Sequence, residues 1–219
     1  MCGRFTALSF DEVEQLFRFL EYSSPVNLEP DWPAAPSSAP DASRDVFPRR
    51  DVSLIASEAD FPASVVTLRW GFFPTGDDVV YNTRIETASE LPLWQDSWML
   101  RHCVVPARAF FEPHASELAV SPRSGKLVKR PYRFAPVGSS CLLMMGVWQE
   151  GCFSVVTTEA RPPVSGVHHR MPVLLDASAA HSWLGAESKG ERLAASSSVA
   201  LVGAPVLPEA PRDEQLGLF

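Results

Sequence analysis

The sequence predicts an α+β fold in which curved, mainly antiparallel β-sheets form a barrel-like core flanked by a few helices. Three observations lead there. Short runs rich in β-branched, aromatic and other apolar residues recur at 52–56, 64–70, 79–81, 103–106, 132–135, 141–148, 153–158 and 173–175. Helical patterns are few and do not alternate with these strands, which disfavours a doubly wound nucleotide fold. Neither an internal repeat nor a glycine-rich phosphate loop is present, which argues against nucleotide-driven chemistry.

The first element is a helix over 10–21. Ser9 and Glu12 have the spacing of a capping box, and Val13, Leu16, Phe17 and Leu20 follow at helical spacing. Residues 23–48 are rich in Pro, Ser, Ala and Asp, and read as an irregular but ordered excursion because isolated prolines block regular elements. The strands come next. Two helical stretches interrupt them: 87–100, where Leu91, Trp94 and Trp98 give a broken pattern, and 177–184. One domain is expected over 1–204. Residues 205–219 are Pro-rich and polar until the apolar Leu-Gly-Leu-Phe, and read as a flexible tail.

With 219 residues, 46% of them hydrophobic and 21% charged, the chain has the composition of a globular domain with a real core. The apolar run over 141–149 is far too short to span a bilayer. The opening residues lack the basic head and apolar stretch of a signal peptide, so a soluble, cytoplasmic, nucleoid-associated protein with no membrane contact is expected. Cys2, Cys103, Cys141 and Cys152 show no C-x-x-C spacing, so neither a metal nor a disulfide framework is expected, and no cofactor is implied. The net charge of −7 argues against a protein that coats nucleic acid by bulk attraction. Residues 101–135 go the other way, with seven Lys/Arg against Glu112 and Glu117. That stretch reads either as a solvated basic loop or as a local basic groove.

Cys2 is the most informative position. Removal of Met1 leaves an amine and a thiol on adjacent carbons, with ordinary pKa values of about 7.7–8.0 and about 8.5, so both are partly nucleophilic near neutrality. Such an aminothiol condenses with an aldehyde to an imine and closes through sulfur to a thiazolidine, or acts as an N-terminal nucleophile in amide hydrolysis. Taken alone, Cys2 reads equally as a small residue behind a retained Met1. Glu112 ends the apolar run Ala109-Phe110-Phe111, either as a desolvated acid with a raised pKa or as a strand-end carboxylate turned to water. His168 and His169 should point apart on an extended chain, which suits one histidine for proton transfer better than a two-histidine metal site. On an extended chain Asn82, Arg84 and Glu86 would share a face, fit for a phosphate or for a surface ion pair.

Taken together, these residues resemble the SRAP family (SOS response-associated peptidase domain), which shields abasic sites. The markers are Met1-Cys2-Gly3-Arg4-Phe5, Arg69-Trp70-Gly71-Phe72-Phe73-Pro74, Asn82-Thr83-Arg84-Ile85-Glu86-Thr87, and Arg101 to Ala107 leading to Phe110-Phe111-Glu112. Thr157-Thr158 and the run from His168 to Leu175 complete the set. The resemblance implies covalent capture of abasic sites in single-stranded DNA through a Cys2 thiazolidine, with β-elimination from the imine as an accompanying lyase activity. By the same resemblance Asn82 orients the amine and sugar, Glu112 shuttles protons, and His168 acts on the sugar oxygen. Arg84 and Arg170 match phosphate-binding arginines, with Arg4 and Trp70 as further contacts to the strand. The sequence departs from the family pattern at His169 (usually Asp), Arg108-Ala109 (usually Asp-Gly) and Pro113 (usually Trp). It departs again at Pro33-Ala34-Ala35-Pro36-Ser37, where Asn-x-x-Pro-Thr is usual. These changes touch the grip on DNA more than the reacting atoms.

Two other classes compete with this reading: a processing peptidase with Cys2 as nucleophile, and a non-covalent single-strand binding module. The tail residues Gln215, Leu216, Leu218 and Phe219 resemble the Gln-Leu-x-Leu-Phe peptides that bind the bacterial sliding clamp. The tail reads either as such a peptide, docking Leu and Phe into an apolar groove at modest ordering cost, or as a segment that folds back onto the domain. Deleting residues 214–219 is expected to abolish binding to purified clamp in a pull-down. Undiminished binding by the truncated chain would exclude the tail as the clamp ligand.

Overall fold

Twenty residues, Arg101–Val120, form one continuous strand, and the architecture of this computed structural model is organised around it. The structure describes residues 2–22, 45–59, 61–74, 78–185, 190–196 and 199–208. In chain order the first elements are β1 (Phe5–Ala7), α1 (Phe10–Tyr22), β2 (Asp45–Val46), β3 (Asp51–Glu58), β4 (Phe61–Trp70), β5 (Asn82–Arg84) and α2 (Gln95–Leu100). The long strand is β6, followed by β7 (Leu127–Pro136), β8 (Leu142–Gln149), β9 (Cys152–Glu159), β10 (Arg170–Pro172) and β11 (Leu174–Leu175). Helices α3 (Ala177–Leu184) and α4 (Gly190–Ser196) and strand β12 (Leu201–Pro205) complete the described order.

The sheet closes into a ring. β3 pairs with β4 and β6, β6 with β8, β8 with β9, and β9 with β4. Every ladder is antiparallel except the short β4–β9 and β5–β9 contacts, so the predicted class holds. β6 serves several neighbours in turn. Its residues 101–104 pair with β3 and residues 107–110 pair with β1. Pro106, which has no N–H to donate, stands at that handover, and Pro113 stands where a register shift begins against β7.

Strands β8 and β9 and the first half of β6 are buried on both faces, which is why they read as apolar runs rather than clean alternations. Along β6, Cys103, Val105 and Ala107 join Phe5, Trp70, Phe110, Phe134 and Phe153 in one apolar cluster, while Val104 joins a second. Along β8, Leu142 and Met144 belong to the first cluster, and Leu143, Met145 and Val147 to the second. This period of two assigns the first cluster to the inside of the ring and the second to its outer face. Leu16 and Leu20 of α1 and Ala180 and Trp183 of α3 cover that outer face. Trp183 Nε1 donates to the Cys103 and Gly146 carbonyls, both at 3.1 Å, which fixes α3 against β6 and β8.

Local rules explain most element ends. At α1 the capping box forms: the Ser9 N–H donates to Glu12 Oε2 at 2.7 Å and the Glu12 N–H to Ser9 Oγ at 3.3 Å. Asp176 caps α3 by accepting from the Ala179 N–H at 2.8 Å. The expected helix over 87–100 is mostly turns. A 3₁₀ turn over Ile85–Thr87 leads to Pro92, which cannot continue a helix hydrogen-bond ladder, and only Gln95–Leu100 is α-helical. The strand expected at 79–81 is one bridge between Val80 and Phe72, with the true strand starting at Asn82. The basic stretch is an extended hairpin, β6–β7, rather than a loop. Most of the excursion over 23–48 lies outside the described residues, although 45–46 form β2. Among the described residues no helix is long and apolar enough to cross a membrane.

Gly146 lies where β8 passes close to β6 and β9. A Cβ there would lie 2.7 Å from Cys103 Sγ and 3.0 Å from the Ser154 carbonyl oxygen. Gly146→Ala is therefore expected to destabilise the fold by about 1–3 kcal/mol through overpacking, read as a lower denaturant midpoint. An unchanged midpoint would contradict this account of the β6–β8–β9 contact.

Candidate functional site

The N-terminal segment is drawn into the ring before the first helix begins. β1 pairs with β6 through Phe5↔Phe110 and Thr6↔Ala109, and the Phe111 N–H donates to the Arg4 carbonyl at 3.0 Å. These bonds carry Cys2 into the inner apolar cluster, where it is fully buried. Its Sγ–H lies 3.6 Å from the Arg4 carbonyl. Burial pushes the thiol pKa well up, and the charge of Glu112 adds to the shift.

Asn82 arrives from β5, whose register with β9 is fixed by Thr83 Oγ1 on Ser154 Oγ at 2.8 Å and by Thr157 Oγ1 on the Thr83 carbonyl at 3.2 Å. Asn82 Nδ2 donates to the Cys2 carbonyl at 3.0 Å. Its Oδ1 is buried and accepts no hydrogen bond, which leaves an acceptor next to the start of the chain.

Glu112 sits on β6 opposite Tyr132 and is fully buried. Burial raises its carboxyl pKa to about 7, so near neutrality it is divided between acid and carboxylate. Of the two readings open from the sequence, the desolvated acid is the one the fold builds. His168 follows the 3₁₀ turn Val164–Gly166, and its Nδ1 lies 3.6 Å from Glu112 Oε2 and 3.1 Å from both the Arg170 N–H and carbonyl. Burial lowers the His168 pKa, so its ring is neutral at neutral pH. Cys2, Asn82, Glu112 and His168 thus come from four separate segments to one place.

The expected strand contacts fare differently. Arg84 is exposed. Arg170 is buried and committed: its Nη1 and Nη2 pair with both Glu86 carboxylate oxygens at 2.7 and 2.9 Å, and Nη2 also reaches the Thr157 carbonyl at 2.6 Å. Arg4 pairs with Asp45 and lies 4.1 Å over the Phe111 ring. Trp70 has no exposed face. Its Nε1 donates to the Tyr81 carbonyl at 3.0 Å and its ring packs 4.7 Å from Phe5, so it builds the site's wall instead of offering a surface to a strand.

Two local expectations are corrected. Asn82, Arg84 and Glu86 do not share a face, because β5 ends at Arg84 and the following 3₁₀ turn swings Glu86 to Arg170. The rings of His168 and His169 do not point apart but lie 4.5 Å from each other, because the chain leaves a 3₁₀ turn there with Val167 in the helical region. Among the described residues, no three His, Cys, Asp or Glu side chains gather in a group that would hold a metal. The tail residues Gln215, Leu216, Leu218 and Phe219 lie outside the described residues. Tyr81 and Tyr132 went unnoticed in the sequence. Tyr81 has its pKa raised by burial and by the charges of Cys2 and Glu112, and Tyr132 faces Glu112 only by strand register.

A ring-like sheet thus holds a buried cysteine at position 2 near Asn, Glu and His side chains brought in from distant segments. The model of the family described as SOS response associated peptidase (SRAP) matches residues 1–206, and the chain belongs to that family. Relatives include the abasic site processing proteins YoqW and YoaM of Bacillus subtilis, 26% and 24% identical over 200 residues. Those matches span 84% of this chain and 80% and 79% of theirs. Among solved structures, a phage-related protein of Bordetella bronchiseptica superimposes with a TM-score of 0.66 at 24% identity, covering 95% of each chain. A Bacteroides thetaiotaomicron protein gives 0.63 at 18% identity, covering 94% of this chain and 92% of its own.

The raised Glu112 pKa fixes the sign of a stability effect. Folding favours the protonated acid, so its contribution is full below about pH 4.5 and is lost as pH rises to about 7. Glu112→Gln, which cannot ionise, is therefore expected to gain stability relative to wild type across that window and to hold the gain above it. Parallel melting curves for the two proteins from acid to neutral pH would refute this.

Proposed function

We propose that this protein processes abasic sites in single-stranded DNA by capturing them covalently at Cys2 after loss of Met1. The observation that carries the reading is that Asn82 bonds the Cys2 backbone, the charge of Glu112 acts on its thiol, and His168 stands beside Glu112. Membership of the SRAP family and the names of its Bacillus relatives support the choice of substrate.

The chemistry follows from the groups present. The ring-opened deoxyribose offers an aldehyde at C1′. The neutral α-amine of Cys2 attacks that carbon, and the carbinolamine loses its oxygen as water when an acid protonates it, leaving an imine. Glu112, with a pKa of about 7, supplies that proton near neutrality and accepts one on the return step. The Sγ–H then adds across the C=N bond: sulfur takes the carbon, the proton ends on nitrogen, and the five-membered thiazolidine closes. The buried Oδ1 of Asn82 is suited to accept from the amine and aim its lone pair. His168, neutral and within 3.6 Å of Glu112, is suited to handle the sugar hydroxyl proton during ring opening. If the imine instead loses a proton from C2′, β-elimination breaks the strand, which is the lyase branch.

A cysteine hydrolase reading is less well supported. It requires the thiol to lose its proton by the time it attacks, and the apolar burial of Cys2 beside an acid makes that costly. In the amine-first route the thiol reacts late, with an electrophile already attached one bond away, so its protonation costs less.

Intact mass spectrometry after mixing the protein with a single-stranded oligonucleotide carrying one abasic site tests the proposal. A Met1-less protein heavier by the DNA mass less one water is expected, with no adduct for Cys2→Ala. A protein that lacks Met1 yet forms no adduct would defeat the mechanism.

A further inference from the structure

Past Glu112↔Tyr132 the strands β6 and β7 leave the ring and run on as a two-stranded arm, through Leu118↔Lys129 to Val120↔Leu127. Between Leu118 and Arg133 this arm carries Arg123, Lys126, Lys129, Arg130 and Arg133 and no acidic residue, on a chain of net charge −7. Arg123, Lys126, Lys129 and Arg133 are exposed. The positive charge is thus concentrated on the element that leads directly away from the buried acid.

The arm is fastened to the site at its root. The Ala115 N–H donates to the Val167 carbonyl at 2.9 Å, which ties the bulge between Pro113 and Leu118 to the segment bearing His168. Burial is the main cause of the lowered His168 pKa, but the charge of Lys129 also acts on that ring, which puts the two within electrostatic reach. Glu117 organises the root further. It accepts from Tyr132 Oη at 3.0 Å and lies 3.6 Å from Arg130 Nε and 3.4 Å from His114 Nε2. The His114 and Tyr132 rings are 5.5 Å apart. Arg130 Nε is buried and faces the Glu117 carboxylate, so it belongs to the root rather than to the exposed ribbon.

We propose that the β6–β7 arm is a binding surface for single-stranded DNA, where the exposed Lys126 and Lys129 take backbone phosphates of the strand flanking the nucleotide held at Cys2. This rests on the reading of the chain as a handler of single-stranded DNA. The chemistry matches: exposed cations along a two-stranded ribbon follow a polyanion without reading its bases, and Tyr132 adds an aromatic edge at the point where the strand enters the site. The arm also reconciles an acidic protein with a polyanionic ligand, because attraction is local to one ribbon rather than spread over the surface.

The test compares the full chain with Lys126→Ala/Lys129→Ala, two positions exposed on the arm and outside both apolar clusters. Binding to an undamaged, labelled single-stranded oligonucleotide is read by anisotropy across a salt series, and crosslinking to the same strand with one abasic site is read on gels. The variant is expected to bind about fivefold more weakly, with a slope of log affinity against log salt shallower by about 1.4, about 0.7 for each phosphate no longer neutralised. The DNA concentration that half-saturates crosslinking should rise in step. An affinity and slope equal to wild type would overturn the arm as a binding surface, as would absence of binding by either protein at low salt. Arg123→Ala, at the hairpin tip, provides a second variant read the same way. Wild-type binding that depends on the arm but yields no adduct would leave this inference standing and remove the covalent reading. Adducts that form with undiminished affinity in the variants would do the reverse.

Discussion

The structure depends on holding the second residue of the chain inside an apolar ring. Chain ends ordinarily fray, because a terminal segment has few contacts to offset the entropy of ordering it. Here β1 pairs with β6, the Phe111 N–H fixes the Arg4 carbonyl, and Asn82 fixes the Cys2 carbonyl. Phe5 then inserts against Trp70 in the ring interior. Each bond is modest alone. In series they anchor the start of the chain to β6 and β5, which gives Cys2 a defined place beside Glu112.

Burial carries an electrostatic cost that the same geometry turns to use. Glu112 shares the apolar interior with Cys2, and desolvation lifts its pKa to about 7. An acid in water at neutral pH would have given up its proton, whereas this one retains a usable fraction. Desolvation also keeps the thiol protonated and His168 neutral. Near neutrality Glu112 can thereby give or take a proton beside a neutral His168 and a protonated thiol. Arg170 and Arg4, by contrast, are paired with Glu86 and Asp45, whereas Arg84 and the lysines of the β6–β7 arm are exposed.

Much of this was legible in the chain. The capping box at Ser9 and Glu12 places α1 because its two bonds form within four residues. The apolar runs at 141–148 and 153–158 identify β8 and β9, although a run buried on both faces says nothing of which neighbour it pairs with. The helix expected over 87–100 dissolved into turns at Pro92, a signal that was present but outweighed by Leu91, Trp94 and Trp98, two of which are buried from turns or a short helix. β1, β2, β10 and β12 are each five residues or fewer and exist because a partner strand is beside them.

By itself the sequence determined the mainly antiparallel α+β class, the position of α1 and α3, and the residue types assembled at the site. Those follow from local periodicity, capping and the chemistry of a cysteine next to the initiator. Only the tertiary structure decided that Glu112 is a buried acid, that Trp70 is a wall and not a contact, that Arg170 is bound to Glu86, and that the basic stretch is a ribbon rooted beside His168. The reason is physical: protonation, exposure and pairing are properties of an environment built from segments as far apart as Cys2 and His168, and no window of sequence contains that environment.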